Sequence, residues 1–408
     1  MNKCRFCGTE LKHTFIDLGM SPLCESYLSE NELNQMEPFY PLHLYVCENC
    51  FLVQIQEYVK PGDIFSEYAY FSSYSQSWLE HAKQYCDNMI DKFGINKNSC
   101  VVELASNDGY LLQYFVENNI PVLGIEPAAN VAKVAEEKNI NTIVEFFTEE
   151  LAKDIVRDHK KADLIIGNNV LAQVPDLNDF IKGVRILLAP NGIITFEFPH
   201  LIQLVKQRQF DTIYHEHFSY FSFYTIEKIF LYHGLKIFDV EKLTTHGGSL
   251  RIYGCHVDDS TKSISNNVDR LRNNEITEGI TNLEYYANFQ ENIFTIKREI
   301  LDFFIGAKKN NKKICGYGAP GKGNTLLNFC GIRTDFLAFT VDKNPYKQGK
   351  FLPGTHIPIY PPGKIAEYKP DYIFILPWNL KNEIINQLGF TRKWGAKFVI
   401  PIPKIEIV

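Results

Sequence analysis

Apolar residues recur along the chain with more than one period, and the changes of period divide it. Up to about residue 70, short apolar stretches alternate with polar ones and no long helical period is sustained. Trp78, Ala82, Cys86, Met89 and Phe93 then recur every three or four positions, which predicts an amphipathic helix, and Gly94 stands where a helix stop belongs. From Cys100 to about Val257, short continuous apolar runs alternate with helical patterns. Val101–Leu104, Val122–Ile125, Leu164–Ile166 and Ile193–Phe198 read as buried parallel strands, and that alternation predicts a doubly wound α/β sheet.

A polar stretch, Asp258–Asn274, marks a boundary. A long helical region follows, with Leu283, Ala287, Phe294 and Leu301 expected to face one way. After Lys312 the alternation resumes, with Ile314–Cys315, Phe339–Val341, Tyr372–Leu376 and Phe398–Ile400 as strand candidates. The pattern predicts an α/β chain in three parts: a small module over 1–70, a Rossmann-like domain over 71–258 and a second Rossmann-like domain over 259–408.

Composition narrows the function. The chain is 45% hydrophobic and 22% charged with a formal net charge of -6, as in an ordinary soluble protein. No surface for polyanions is implied, which disfavours nucleic acid as a partner. No apolar run reaches the roughly 18 residues of a membrane span. Met1 leads directly into a polar, cysteine-containing segment, so no signal peptide is expected. Ten cysteines in such a chain predict a reducing compartment, the cytoplasm. The 30 Phe and 22 Tyr exceed what a minimal core needs; most are expected in the core, and some could contact sugars or bases. The oligomeric state stays open, a monomer included.

Cys4-Arg-Phe-Cys7 and Cys47-Glu-Asn-Cys50 are two C-x-x-C knuckles, and Gly8 follows the first as a tight turn favours. Each spacing puts two thiolates on one turn, and two such turns complete a tetrahedral Zn–S4 site. Four sulfur ligands leave no open position, so the expected zinc is structural. Cys24 is left over as a core residue.

Glu103-Leu-Ala105-Ser-Asn107-Asp-Gly109 carries a strand into a tight loop, and Glu126-Pro127 ends the next strand. A carboxylate at that strand end suits ribose hydroxyls. Asn168 and Asn169 close the third strand candidate. Tyr214-His215-Glu216-His217 is dense in proton-transfer groups and follows the strand Ile193–Phe198, whose C-terminal end should face the ligand crevice. The H-E-H spacing lacks the two-residue gap of a zinc protease. Periodicity cannot choose between His215 and His217.

Gly316-Tyr317-Gly318-Ala-Pro-Gly321-Lys322-Gly323 fits a dinucleotide loop, with Asp342 about where a ribose-binding acid belongs. It also fits a Walker A loop, but Gly323 replaces the hydroxyl that magnesium needs.

Together these motifs, with Thr245-His246-Gly-Gly-Ser249-Leu-Arg251, resemble the sugar C-methyltransferases of deoxysugar biosynthesis, over nearly the whole chain. The resemblance implies S-adenosylmethionine at Glu103, Ala105, Asn107, Gly109, Glu126, Pro127, Asn168 and Asn169. It implies His217 as base, Tyr214 and Glu216 beside it, and Tyr68 or Tyr70 reaching the same site. It further implies that the last domain helps to hold the nucleotide-linked keto sugar, with His246, Ser249, Arg251, Tyr317, Gly318, Lys322 and Asp342 as substrate residues. In that setting Lys322 and backbone N–H groups would face the pyrophosphate. Gln173 departs from the family, where histidine is frequent in that region. The expected reaction is methylation of the carbon next to a sugar ketone, C3 beside a C4 carbonyl. Two other classes remain: an NAD(P)-dependent oxidoreductase using the second loop, and a nucleotide-sugar-binding protein without turnover.

Overall fold

The computed structural model describes residues 2–65 and 71–408, so Tyr68 and Tyr70 lie outside the described residues. Those residues form three sheets. The first begins as an antiparallel meander, β1 (His13–Ser21), β2 (Tyr40–Val46) and β3 (Val53–Ile55), beside the two cysteine knuckles.

The second sheet carries β4 (Val101–Leu104), β5 (Val122–Ile125), β6 (Thr142–Ile143), β7 (Ala162–Asn168) and β8 (Leu188–Pro199). The chain then leaves it for β9 (Ser219–Tyr220) and returns with β10 (Leu235–Leu243) and β11 (Ser249–His256). The order is β10-β11-β8-β7-β4-β5-β6, parallel except for β11, which runs antiparallel to both neighbours. All four residues of β4 are buried, as a strand covered on both faces requires. The helix Gln76–Phe93 covers one face through Ala82, Tyr85, Cys86 and Met89. Ser75 caps its start by accepting from the Trp78 N–H, and Gly94, at φ 66, ends it.

The third sheet holds β12 (Ile314–Tyr317), β13 (Thr340–Val341), β14 (Ile359–Tyr360), β15 (Tyr372–Ile375), β16 (Lys397–Ile400) and β17 (Glu406–Ile407). Its order is β14-β13-β12-β15-β16-β17, with only β17 antiparallel.

Two features depart from the hydrophobic pattern. The helix Phe289–Lys309 buries Phe289, Ile293, Ile296, Ile300, Phe304 and Ala307. Ala287 is exposed and Phe294 and Leu301 are half-buried, so the expected stripe lies one position off the true face. The helix is apolar over more than one stripe, and packing against β1, where Phe289 stacks on Phe15 at 4.6 Å, selects among them. The polar stretch after Asp258 is also no simple linker. It contains the helix Asn266–Thr277, whose Val268 and Leu271 enter the core of the second sheet.

That helix places Glu275, 0% exposed, where its Oε1 meets His200 Nε2 at 2.6 Å. The same carboxylate accepts from the N–H groups of Phe223 and Tyr224, at 2.9 and 2.8 Å, in the first turn of the helix Phe223–Tyr232. Removing it strands three buried polar groups. Glu275→Ala is therefore expected to destabilise the fold by about 3–5 kcal/mol, measured by denaturant unfolding.

Candidate active site

The four knuckle cysteines converge. Cys4 and Cys50 sulfurs lie 3.5 Å apart, as do those of Cys7 and Cys47, and all four fall within 4.8 Å of one another. Tetrahedral zinc with Zn–S near 2.3 Å needs sulfurs about 3.8 Å apart, so the set fits the ion. The knuckles share one design. Gly8 N–H donates to Cys4 C=O and Phe51 N–H to Cys47 C=O, and Gly8 and Phe51 both take positive φ (74 and 60).

The loop after β4 winds through three left-handed residues, Ala105 (φ 57), Asn107 (φ 50) and Gly109 (φ 72). Ala105 accepts that conformation where glycine is common. A Cβ at Gly109 would stand 2.3 Å from Ile140 Cδ1 and 3.2 Å from Ala135 Cβ, so a neighbour would have to move as well. Glu103, at the end of β4, is fully buried, and burial drives its pKa well above the usual carboxylate range. Glu126 closes β5 with one oxygen accepting from Asn107 N–H and the other from Ala128 N–H, both at 2.9 Å. Burial raises its pKa to about 6 against those two hydrogen bonds. Pro127 turns the chain after it towards the helix Ala129–Glu137. At the end of β7, Asn168 has both amide atoms, and Asn169 its Oδ1, buried without a partner among the described residues. Unpaired buried amides beside a backbone-lined loop fit S-adenosylmethionine, which brings donors and acceptors to both.

His215 and His217 point to different places. His215 Nε2 lies 3.2 Å from Pro41 C=O, against the first sheet. His217 turns towards Tyr214, with ring centroids 4.1 Å apart, and its Nδ1 lies 3.1 Å from Thr212 C=O. A carbonyl only accepts, so Nδ1 carries the proton and Nε2 keeps its lone pair. Burial lowers the His217 pKa to about 4, and nearby His246 and Lys322 push it the same way. Burial holds the Tyr214 hydroxyl protonated by raising its pKa well above its ordinary value. Glu216 Oε1 accepts from the Cys24 thiol at 3.4 Å, so Cys24 belongs to the wall of this site as well as to the core.

The third sheet supplies the opposite side. Gly318, at φ 88, leaves no room for a Cβ, which would lie 2.5 Å from Pro377 Cδ. Lys322 Nζ donates to Asn379 Oδ1 at 2.9 Å and lies 4.8 Å from the Trp378 ring centroid. Trp378 Nε1–H donates to Asp211 Oδ2 at 2.6 Å, which ties this sheet to the turn just before His217. His246, at φ 53, sits edge-on to Trp78 at 5.2 Å. Ser249 Oγ donates to Thr245 C=O.

Three expected substrate residues are occupied by the protein itself. Arg251, 4% exposed, donates to Glu197 at 2.8 Å and to Glu241 at 3.4 Å and so braces the sheet. Tyr317 hydroxyl donates to Gln387. Asp342 accepts from Ala319 N–H with one oxygen and from Asn344 N–H with the other, holding the glycine loop in shape.

Glu197, Asp211 and Trp378 carried signals that the pattern reading passed over. Glu197 interrupts the apolar run of β8, and a buried charge demands partners. Burial pushes its pKa up, but His81, Arg251 and Thr245 outweigh this and hold it at about 2. Trp378 follows the C-terminal end of a parallel strand, where ligands gather.

Residues 4–65 match a zinc binding domain, residues 78–240 a methyltransferase domain and residues 244–403 the C-methyltransferase C-terminal domain. Over 408 residues the chain is 33% identical to C-methyltransferase NovU of Streptomyces niveus, covering 100% of this chain and 97% of that protein. The chain belongs to the C-methyltransferase family. This C-methyltransferase depends on S-adenosylmethionine and carries a zinc-binding cysteine cluster. That membership displaces the oxidoreductase and the non-catalytic binding protein expected as alternatives. Solved structures overlap it in part. Magnesium protoporphyrin IX methyltransferase from Synechocystis PCC 6803 is 13% identical over 44% of this chain and 79% of its own, with a TM-score of 0.34. An S-adenosylmethionine-dependent methyltransferase from Clostridium acetobutylicum ATCC 824 is 14% identical over 43% of this chain and 92% of its own, with a TM-score of 0.35. The strand order of the second sheet, not these overlaps, carries the description of the fold. No helix among the described residues is long and apolar enough to cross a membrane.

Two outcomes are expected. Purified protein should contain about one zinc per chain by metal analysis, and chelation should lower its unfolding temperature, since structural zinc binding is coupled to folding. Glu126→Ala should weaken S-adenosylmethionine binding in calorimetry by about 1.5–3 kcal/mol for each hydrogen bond lost.

Proposed function

We propose that this C-methyltransferase methylates the carbon next to the ketone, C3, of a nucleotide-linked 4-keto-deoxysugar. The observation that carries this reading is His217: a buried, neutral imidazole, its Nδ1–H fixed on Thr212 C=O, with His246, and Lys322 of the glycine loop, near enough to lower its pKa. A fixed tautomer with a free Nε2 is what proton abstraction from carbon asks of a base. The resemblance to sugar C-methyltransferases supports the substrate class.

In this reading the C–H proton next to the ketone passes to His217 Nε2, and its electron pair moves onto the ketone oxygen. The Tyr214 hydroxyl, kept protonated by burial, donates to that oxyanion. Glu216 orients the substrate beside it. The Asn107 loop, Glu126, Asn168 and Asn169 would hold S-adenosylmethionine, which would supply an electrophilic methyl group with a neutral thioether as its leaving group. Lys322 and the first turn of the helix Gly321–Cys330 face the pyrophosphate, where the positive end of the helix and the ammonium favour an anion. His246 and Trp378 flank the sugar. Free thiols throughout, four of them grouped for zinc, support a cytoplasmic location.

The deciding experiment incubates the protein with labelled S-adenosylmethionine and a panel of nucleotide 4-keto sugars, with mass spectrometry of the products. One of them should gain a methyl group on carbon; label on oxygen, or none on any sugar, overturns the reading. His217→Asn should lower turnover by about 10²–10⁴-fold and leave cofactor affinity intact, whereas His215→Asn, on the far side, should do much less. Since His217 must be neutral to accept a proton, and burial sets its pKa to about 4, kcat/KM should hold through the weakly acidic range. At saturating S-adenosylmethionine, the fall that His217 causes should come as pH drops towards 4, well below the ordinary imidazole range.

A further inference from the structure

The strand that follows His217 does not belong to the methyltransferase sheet. β9 pairs antiparallel with β3, Val53 opposite Tyr220 and Gln54 opposite Ser219, and so becomes the fourth strand of the zinc module's sheet. Ile55 N–H donates to Phe218 C=O at 3.1 Å and extends the pairing to the residue next to His217. The position of the imidazole therefore depends on where β3 lies, while Phe221, farther on, bridges to His200 just after β8.

Arg5, between two zinc ligands, fixes that position. Its Nη2 donates to Ile55 C=O at the end of β3. Its Nη1 donates to Pro175 C=O at 2.6 Å, in the loop that follows the turn Leu171–Gln173 after β7. The guanidinium carbon lies 5.4 Å from the Phe218 ring centroid. Its backbone N–H donates to Gln54 Oε1 at 2.9 Å, and Gln54 Nε2 in turn reaches Cys4 Sγ at 3.2 Å. Arg5 thus joins the zinc knuckle, the strand that aligns the His217 segment and the loop after β7. A planar fork with separate donors meets two carbonyls at once, which an ammonium cannot do in the same way.

We propose that Arg5 is a positioning residue for the methyl transfer: it transmits the rigidity of the zinc knuckle to the His217 segment. This rests on the reading of His217 as the base. Arg5 itself touches neither substrate nor cofactor.

The test compares the zinc-loaded wild type with Arg5→Met and Arg5→Lys. Both variants should keep the zinc content and the S-adenosylmethionine affinity of the wild type. A misplaced base costs turnover more than binding, so kcat should fall by about 10- to 100-fold in Arg5→Met with little change in KM for the keto sugar. Arg5→Lys should fall between it and the wild type, and added guanidinium should restore part of the Arg5→Met rate. Independently of activity, backbone amide exchange of the peptide spanning 217–222 should accelerate in Arg5→Met while that of β4 and β5 stays as in the wild type. Unchanged kcat with unchanged exchange at 217–222 overturns the proposal. So does a loss of activity that follows loss of zinc, or that spreads to amide exchange in β4 and β5, since either marks general destabilisation. A fully active His217→Asn protein would remove the base assignment, and the exchange measurement would still read whether Arg5 holds the segment.

Discussion

A pairing only two residues long holds the molecule's parts in working order. Ser219–Tyr220 leaves the methyltransferase region and hydrogen-bonds to β3, on a sheet that otherwise belongs to the N-terminal module. Strand pairing has a period of two, so a slip of one residue would turn the segment's side chains to the opposite faces. The His-Glu-His segment is thereby held from both sides. Thr212 C=O, in the turn before it, orients the His217 ring, and β3 fixes the chain after it. The second zinc knuckle is the turn between β2 and β3, so a structural metal and the residues proposed for chemistry share one frame.

Buried charges perform the same task elsewhere. Glu197 at the end of β8 joins His81 on the long helix, Arg251 on β11 and Thr245 in the loop that carries His246. Asp211 joins the turn before the His segment to Trp378 in the third sheet. Glu275 joins a helix beyond β11 to His200 and to the start of another helix. A charge buried without a partner is costly, so each of these groups is stable only in the arrangement that brings its partners together. They favour the one arrangement of these elements in which each buried carboxylate meets its partners.

The core shows the same interlocking. Phe15 and Ile16 of β1 belong to one apolar cluster with Ile314, Leu326 and Phe398 of the C-terminal part, while the knuckle cysteines Cys4, Cys47 and Cys50 lie in the cluster beneath the methyltransferase sheet. The N-terminal module is therefore packed between the other two parts. Many of the aromatic residues that looked surplus in the sequence are spent here: Phe15, Phe196, Phe198, Phe210, Phe218 and Phe223 are among the largest fully buried side chains.

The strands of the two α/β parts were legible from the chain alone, Val101–Leu104 and Val122–Ile125 to the residue, because a strand buried on both faces is almost wholly apolar, Glu103 being the exception in β4. The cysteine cluster was legible because its chemistry is local: two C-x-x-C turns need only to meet. Elsewhere local pattern had several solutions. The helix Phe289–Lys309 has enough apolar residues for more than one stripe, and only contact with β1 selects the buried one. Asp258–Asn274 is polar enough to pass for a linker until Glu275 is seen anchoring its helix. Arg251 carries a charge that any anion could match, and a glutamate on the neighbouring strand claims it. His215 and His217 are equivalent in the sequence and are told apart by their partners, the distant Pro41 for His215 and Thr212, in the preceding turn, for His217. Sequence settled what depends on neighbours along the chain, periodicity and ligand spacing. Tertiary structure decided which of several equivalent groups is used, because that choice rests on partners whose distance in sequence no local pattern encodes.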